Sequence, residues 1–445
     1  MHNRDTQGIA TTFFLRYLGI TMVMLLSLNI SAWALGSAGL GNGVLGAKAL
    51  GQGNAFAAQA DDPSAIAFNP AGITQVEGTW VSIGGTIEAP RTTYTNPGGV
   101  ETKSNIQTPL VPNLYFTHHF DDKPIAYGVG FTSPYGLQTK WGTDTFSRYV
   151  ATLSKFNMFM ANPTLAFSVN DKTSVGIGLD VIDLFNVDLQ KQVNVGAVNT
   201  VLGAPSAAPD GSARLQAGGT GVGFNFGVLY KPHPMHSFGL AYRSPIKTDV
   251  EGYQELHGLS GASAAAFGGS DFRTAAEGKF TFPQNATLAY SFQPTDRFRW
   301  NADVEWTEWS VFNKLDVSFP QANALQKALL VQDPPSIQWT DSFSVGTGAS
   351  YQFTKIITGR IGYIFQQSPI PDSTFSTNLP DGGRHEATIG GSFSFERFGI
   401  DWAYDAVFEN TRTITNTVGS TSGSSINGEY ETFVNVFAAN VNWKF

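Results

Sequence analysis

Beyond residue 79 the chain alternates. Phe298, Trp300, Ala302, Val304 and Trp306 interleave with Arg299, Asn301, Asp303, Glu305 and Thr307. Successive side chains of a strand point to opposite faces, so one face here is apolar and the other polar. The same split recurs in Ala286/Leu288/Tyr290/Phe292, in Val345/Thr347/Ala349/Tyr351/Phe353 and in Phe398/Ile400/Trp402/Tyr404. Opposite them stand mostly Gly, Ser, Thr, Asn and Asp. A soluble sandwich carries more Lys and Glu on its wet face. Small polar residues suit the inside of a wide barrel whose apolar face meets lipid. The pattern predicts strands at 80–89, 110–120, 125–133, 157–170, 174–187, 219–231, 236–250, 278–292, 298–313, 340–353, 356–367, 384–395, 398–411 and 429–445.

The connections between them alternate in length. Tight ones lie at 121–124, 171–173, 232–235, 293–297, 354–355 and 396–397; the others run 16 residues or more. Outer-membrane barrels have short periplasmic turns, long external loops and an even strand number. In lipid the sheet must close, because an open edge leaves backbone groups unsatisfied. The expected fold is therefore all-β and membrane-spanning: a 14-stranded antiparallel transmembrane β-barrel over residues 80–445. Composition agrees, with 42% hydrophobic residues and only 14% charged, against roughly 25% charged in an ordinary soluble domain. The last strand alternates back from a terminal aromatic. Trp443 and Phe445 are accordingly the candidate address for the barrel assembly machinery, and outer-membrane lipid is the expected surround.

The N-terminus reads differently. Arg4 and Arg16 precede an apolar run from Tyr17 to Ile30, and Ala32-Trp33-Ala34 follows. That order describes a secretory signal peptide over residues 1–34. Residues 35–79 are rich in glycine and small side chains, with Ile66, Phe68 and Ile73 among them. This stretch has too little bulk for its own core. A barrel lumen supplies the surface it needs, so it is expected to form an N-terminal hatch, or plug, in the lumen.

Several short motifs then fall in order along the barrel pattern. They are Gly39-Leu40-Gly41, Ala60-Asp61-Asp62, Asn69-Pro70-Ala71-Gly72, Ser133-Pro134-Tyr135-Gly136-Leu137, Arg148-Tyr149, Asn162-Pro163 and Phe282-Pro283-Gln284. Asp303-Val304-Glu305-Trp306-Thr307-Glu308-Trp309 and Gln367-Ser368-Pro369-Ile370-Pro371-Asp372 follow. In these the chain resembles the FadL family, outer-membrane transporters of long-chain fatty acids and hydrophobic aromatics. The resemblance implies a Gram-negative outer-membrane location, a 14-stranded barrel and a hatch carrying the Asn69–Gly72 motif. It also implies uptake without an energy source. A ligand adsorbs to the external loops, moves to a luminal pocket, and leaves sideways beside an inward kink in the third strand.

Candidate ligand contacts lie in the long loops and the lumen. Trp141, Tyr149, Leu153 and Phe156 make the 134–156 loop apolar, and Leu325 and Leu329 belong to an amphipathic helix pattern in Gln321–Val331. A carboxylate ligand wants a cation, for which Arg148 and the inward Arg243 are candidates. By parity Arg299 and Arg360 also face inward, with Asp303 or Glu305 available to neutralise them. Gly128 and Gly130 on the third strand are candidates for the lateral gap, since strand glycines often mark bulges. The alternatives are an uptake channel for uncharged aromatic hydrocarbons, which needs no cation, and a general diffusion porin. No cofactor, metal or nucleic-acid partner is expected. Cysteine is absent, no phosphate loop appears, and the net charge is −8. An enzyme is not expected either, because no G-x-S-x-G element or His-centred triad is present.

Overall fold

A computed structural model describes residues 39–313, 316–330 and 337–445. The signal-peptide reading of residues 1–34 lies outside the described residues. Fourteen antiparallel strands form one closed sheet. They are β1 (Gly78–Thr95), β2 (Leu110–His119), β3 (Ile125–Thr132, resumed at Gly136–Lys140), β4 (Leu153–Asn170), β5 (Thr173–Val193) and β6 (Gly211–His233). Then come β7 (His236–Arg243 and Ile246–His257), β8 (Phe272–Phe282 and Asn285–Thr295), β9 (Phe298–Thr307), β10 (Ser342–Gln352) and β11 (Ile357–Gln366). Finally β12 (Arg384–Ser394), β13 (Phe398–Glu409) and β14 (Gly428–Lys444) complete the wall. Closure is long: β1 pairs with β14 from Trp80–Lys444 to Thr95–Glu429.

The alternation has the expected sense. Leu165, Leu288, Val304, Ile361, Trp402 and Phe437 face outward and are exposed, whereas Asn301, Asp303, Asp401 and Asp405 on the other parity are buried. Trp443 and Phe445 project outward from the last strand, whose closing Phe445 N–H donates to the Thr79 carbonyl at 3.0 Å. Among the described residues no helix is long and apolar enough to cross a membrane.

Strands β4 to β8 are longer than the hydrophobic pattern predicts. Their outer ends carry Lys155, Asp188, Arg214, Glu255 and Arg273 in place of apolar side chains. Those ends form regular ladders, with Leu153 opposite Gln190 and Val193 opposite Gly211. Backbone pairing continues where the lipid face stops, so apolar alternation marks the membrane span and underestimates the strand. Strand β9 does the reverse. It ends at Thr307, not 313, because a single turn at Trp309–Val311 carries Trp309 into the interior.

Two features interrupt the wall. In β7 and β8 the breaks at Ser244-Pro245 and Pro283-Gln284 face each other, between the pairs Asn285–Arg243 and Ile246–Phe282. Proline donates no hydrogen bond to a ladder. In β3 the chain leaves the wall at Ser133–Tyr135. The β2–β3 ladder stops at Leu114–Phe131, while β2 continues to Leu110. Gly128 and Gly130 lie below this break, in a stretch paired to both neighbours.

Candidate functional site

Residues 39–77 precede the wall and pack against its inward faces. Phe56, Ile66 and Ile73 are at most 1% exposed, an observation that fixes their place against the wall and not in solvent. Short helices α1 (Ala47–Leu50) and α2 (Ala65–Phe68) and a six-residue 3-10 turn (Pro70–Gln75) shape the segment. Asn69 joins it to the wall. Its Nδ2 donates to the carbonyls of Ala57 (2.8 Å) and Val228 on β6 (3.0 Å), and its Oδ1 accepts from Ala71 N–H (3.2 Å). Pro70 opens the 3-10 turn, where a missing N–H costs nothing. Gly72 has no room for a side chain: a Cβ there would stand 2.4 Å from Ala60.

The wall glycines explain themselves by this packing. A Cβ on Gly128 would come within 2.8 Å of Ile66, and one on Gly130 within 3.1 Å. These two residues seat the N-terminal segment, and the interruption in β3 lies beyond them, at Ser133–Tyr135. There the β3 detour meets the tip of the segment. Asn42 N–H donates to the Pro134 carbonyl (2.7 Å), and Gly136 N–H donates to that of Leu40 (2.9 Å). Asn42 Nδ2 donates to the Ser133 carbonyl at 3.0 Å. Tyr135 crosses the lumen, its hydroxyl donating to the Pro283 carbonyl of β8 at 3.2 Å.

Above this layer is an apolar cavity of about 690 Å³. Leu40, Leu137, Phe156, Leu184, Phe280 and Trp339 line its depth. Its roof is three short helices, α3 (Val195–Val201), α4 (Ala262–Phe267) and α5 (Ala324–Leu329). Ser263 N–H donates to Asn199 Oδ1 at 2.7 Å, and Gln326 Nε2 to the Ala266 carbonyl at 3.2 Å, so the three are tied together. The loop 367–383 reaches across from the far side. Trp141 Nε1 donates to the Thr377 carbonyl at 3.1 Å, and Arg412 holds the carbonyls of Ile370 and Asp381 at 2.9 and 2.8 Å. Below the layer lies a smaller cavity of about 130 Å³ of mixed lining, in which Arg243, Asp303 and Glu305 stand beside apolar Leu45, Ala57 and Phe68.

The sequence candidates divide between these places. Tyr149, Phe156 and Leu329 line the apolar cavity. Trp141 is buried beside it, while Leu325 is exposed on α5, and Leu153 opens β4 outside the lining. Arg148 lies over the Tyr149 ring and pairs with Asp210 at 3.4 Å. Arg243 is in the lower cavity, paired with Asp180 at 3.1 Å. The two arginines therefore do not share one site. The partners expected for the luminal arginines also change: Arg299 pairs with Asp61 at 2.8 Å and Arg360 with Asp401 at 3.4 Å. Among the described residues, Lys191 and Glu277 are the charged ones lining the apolar cavity. Neither stands out in the sequence, because both lie on strand extensions that the apolar pattern does not reveal.

Asp61 is half-buried within the segment. Desolvation raises its carboxyl, but Lys48 at 2.7 Å and Arg299 outweigh that and hold it below the usual carboxylate range. With two cations and the Gln59 amide about it, the carboxylate remains charged.

Comparison with known proteins gives one picture. The chain is 24% identical over 408 residues to the long-chain fatty acid transport protein of Escherichia coli K12, covering 83% of this chain and 86% of that protein. An outer membrane protein of Neisseria meningitidis serogroup B is 24% identical over 461 residues, covering 95% and 98%. Among solved structures, a Pseudomonas aeruginosa FadL homologue superposes with a TM-score of 0.79 at 21% identity, covering 92% of this chain and all of that one. The Ralstonia pickettii toluene transporter gives 0.66 at 21% identity, covering 90% and 98%. The family model for outer membrane transport proteins (OMPP1/FadL/TodX) matches residues 34–445, so the chain belongs to this family of Gram-negative outer-membrane transporters of hydrophobic compounds.

Proposed function

We propose that this protein takes up long-chain fatty acids without an energy source, with residues 35–79 as the plug and a sideways exit at the β3 detour. The observation that carries the reading is the apolar cavity of about 690 Å³ directly above the tip of the N-terminal segment. A cavity of roughly 150 Å³ suffices for benzene, so this one has room for a long chain. Fifteen buried methylenes would gain about 12 kcal/mol at ~0.8 kcal/mol each. Passage down through the narrow lower cavity, past Arg243, Asp303 and Glu305, would forfeit much of that gain, whereas lipid preserves it. The break between β2 and β3 offers such a route. It is bounded by residues 110–113, Ser133–Tyr135 and, above, the Asn105 N–H to Lys140 carbonyl bond at 2.9 Å.

The toluene transporters among the structural relatives favour a second reading, an aromatic hydrocarbon, for which the cavity also has room. A diffusion porin fits poorly, because the lumen is occupied by buried side chains of the segment. The test is uptake of labelled oleate and of toluene by cells whose only such transporter is this protein. Oleate uptake that depends on the protein, and is lost when a carboxylate is placed in the depth of the cavity with Leu184→Asp at equal surface expression, supports the reading. Protein-dependent toluene uptake without oleate uptake would overturn it.

A further inference from the structure

The lower cavity carries more negative charge than its own side chains neutralise. Strand β9 sends Asp303 and Glu305 into it, two residues apart on one strand face. Among the described residues, the other charged one lining it is Arg243 of β7, whose Nε is paired with Asp180 of β5 at 3.1 Å. Three carboxylates against one guanidinium leave a net charge of minus two, and Asp180, Arg243 and Asp303 are all buried. Charges held away from water need a partner of opposite sign.

The unused lone pairs around this space are on oxygen. Asp303 Oδ2 accepts the backbone N–H groups of Phe56 and Ala57, both at 2.9 Å, while its Oδ1 has no hydrogen-bond partner. Glu305 accepts from two neutral hydroxyls, Thr287 at 3.2 Å and Thr307 at 3.3 Å, both long for an O–H···O bond. Asn54 of the N-terminal segment also lines the cavity, and its Oδ1 is buried without a partner. A tight turn after α1 puts it there. The Asn54 N–H donates to the Ala49 carbonyl at 2.9 Å, and its φ is 53°, a left-handed conformation that asparagine tolerates. A buried acceptor without a donor costs free energy. Two of them beside a weakly bonded third, in a net negative space, point to a cation.

We propose that the lower cavity binds one calcium ion, with Asp303 Oδ1, Glu305 and Asn54 Oδ1 as protein ligands and water completing the shell. A dication cancels the excess charge and leaves Arg243 with Asp180. Calcium accepts about six to eight oxygen ligands in flexible geometry. Softer metals are poorly served: cysteine is absent, and among the described residues no three His, Asp or Glu side chains gather to hold a metal. About 130 Å³ accommodates the ion with several waters, since about 10–15 Å³ of cavity admits one water. The ion joins residue 54 of the N-terminal segment to β9. Two carboxylates two residues apart on a strand are no metal signal by themselves; only the fold brings Asn54 beside them. The site is indifferent to whether the cargo above is a fatty acid or an aromatic.

The test is calorimetric titration of the whole purified protein with calcium chloride after stripping with EDTA and dialysis. The wild type should take up calcium with a Kd of about 10⁻⁴–10⁻³ M, the range of extracellular calcium modules. Glu305→Gln, Asp303→Asn and Asn54→Gly should each weaken it about tenfold or more. Glutamine still accepts from Thr287 and Thr307, and glycine adopts the left-handed turn freely, so these two variants preserve their surroundings; heat-modifiable mobility checks that each barrel is folded. Calcium should also raise the temperature at which the wild-type barrel unfolds, and do so less in the variants. Absence of calcium uptake by the wild type would overturn the proposal and leave the carboxylates to protons and water. Uptake undiminished in the folded variants would overturn it equally, by assigning the calcium to the outer surface of the barrel.

Discussion

Asn69→Ala separates a seated plug from a passive tail. The side chain is fully buried and makes three hydrogen bonds, two to carbonyls on different parts of the structure and one from Ala71 N–H. Alanine removes all of them and leaves the Ala57 and Val228 carbonyls and the Ala71 N–H without that partner. Each buried orphan costs about 1–3 kcal/mol. Water reaching the site offsets part of this, so a net loss of about 3 kcal/mol in seating is expected. That shifts the seated-to-unseated ratio by about a hundredfold. The β-ladders contain none of these groups except the Val228 carbonyl, so the barrel should still fold and remain heat-modifiable. At equal surface expression, oleate uptake should fall or liposome swelling in arabinose should rise; Pro70→Gly should act in the same direction. The reasoning is refuted if Asn69→Ala, Pro70→Gly and deletion of residues 36–72 all leave both rates at wild-type values.

Two further outcomes follow from other parts of the structure. Asp61 is held below its ordinary range, so its contribution to seating is complete above the unfolded value and lost only as pH falls towards the lower folded one; the difference in swelling rate between wild type and Asp61→Asn should therefore stay constant from pH 7 to about pH 4, and a difference that vanishes within that window would contradict the Lys48–Asp61–Arg299 pairing. Epitopes at Gly203, Gly261 and Gly419, in the long loops, should be labelled on intact cells, and epitopes at Lys172 and Lys355 should not; labelling of the second pair would invert the orientation.

Much of this was legible in the sequence for one physical reason. Where strands cross lipid, one face must be apolar, and segments such as Phe298–Trp306 display that in every second residue. The same reason explains the misses. The outer ends of β4 to β8 stand in water, so charged residues there mask strands that are nonetheless fully laddered. Lys191 and Glu277 were hidden with them. Trp309 continues an alternating run by sequence but turns inward, because packing beside Trp339 and Tyr135 gives its ring a buried place. Gly128 and Gly130 were visible as glycines on the luminal parity. That Ile66 packs beside them could not be read from the strand, because it lies some sixty residues earlier in the chain. Likewise the inward direction of Arg299 followed from parity, but its partner Asp61 lies 238 residues away.

The central claim is that a long-chain amphiphile occupies the cavity above the N-terminal segment. Extraction in a mild detergent, followed by mass spectrometry of the small molecules released from the folded protein, tests it most directly. The account predicts long-chain fatty acids recovered with the wild type and absent from folded Leu184→Asp, which places a carboxylate in the depth of the cavity, purified in parallel. Recovery of monoaromatic compounds alone, or equal recovery of fatty acids from both proteins, would contradict it.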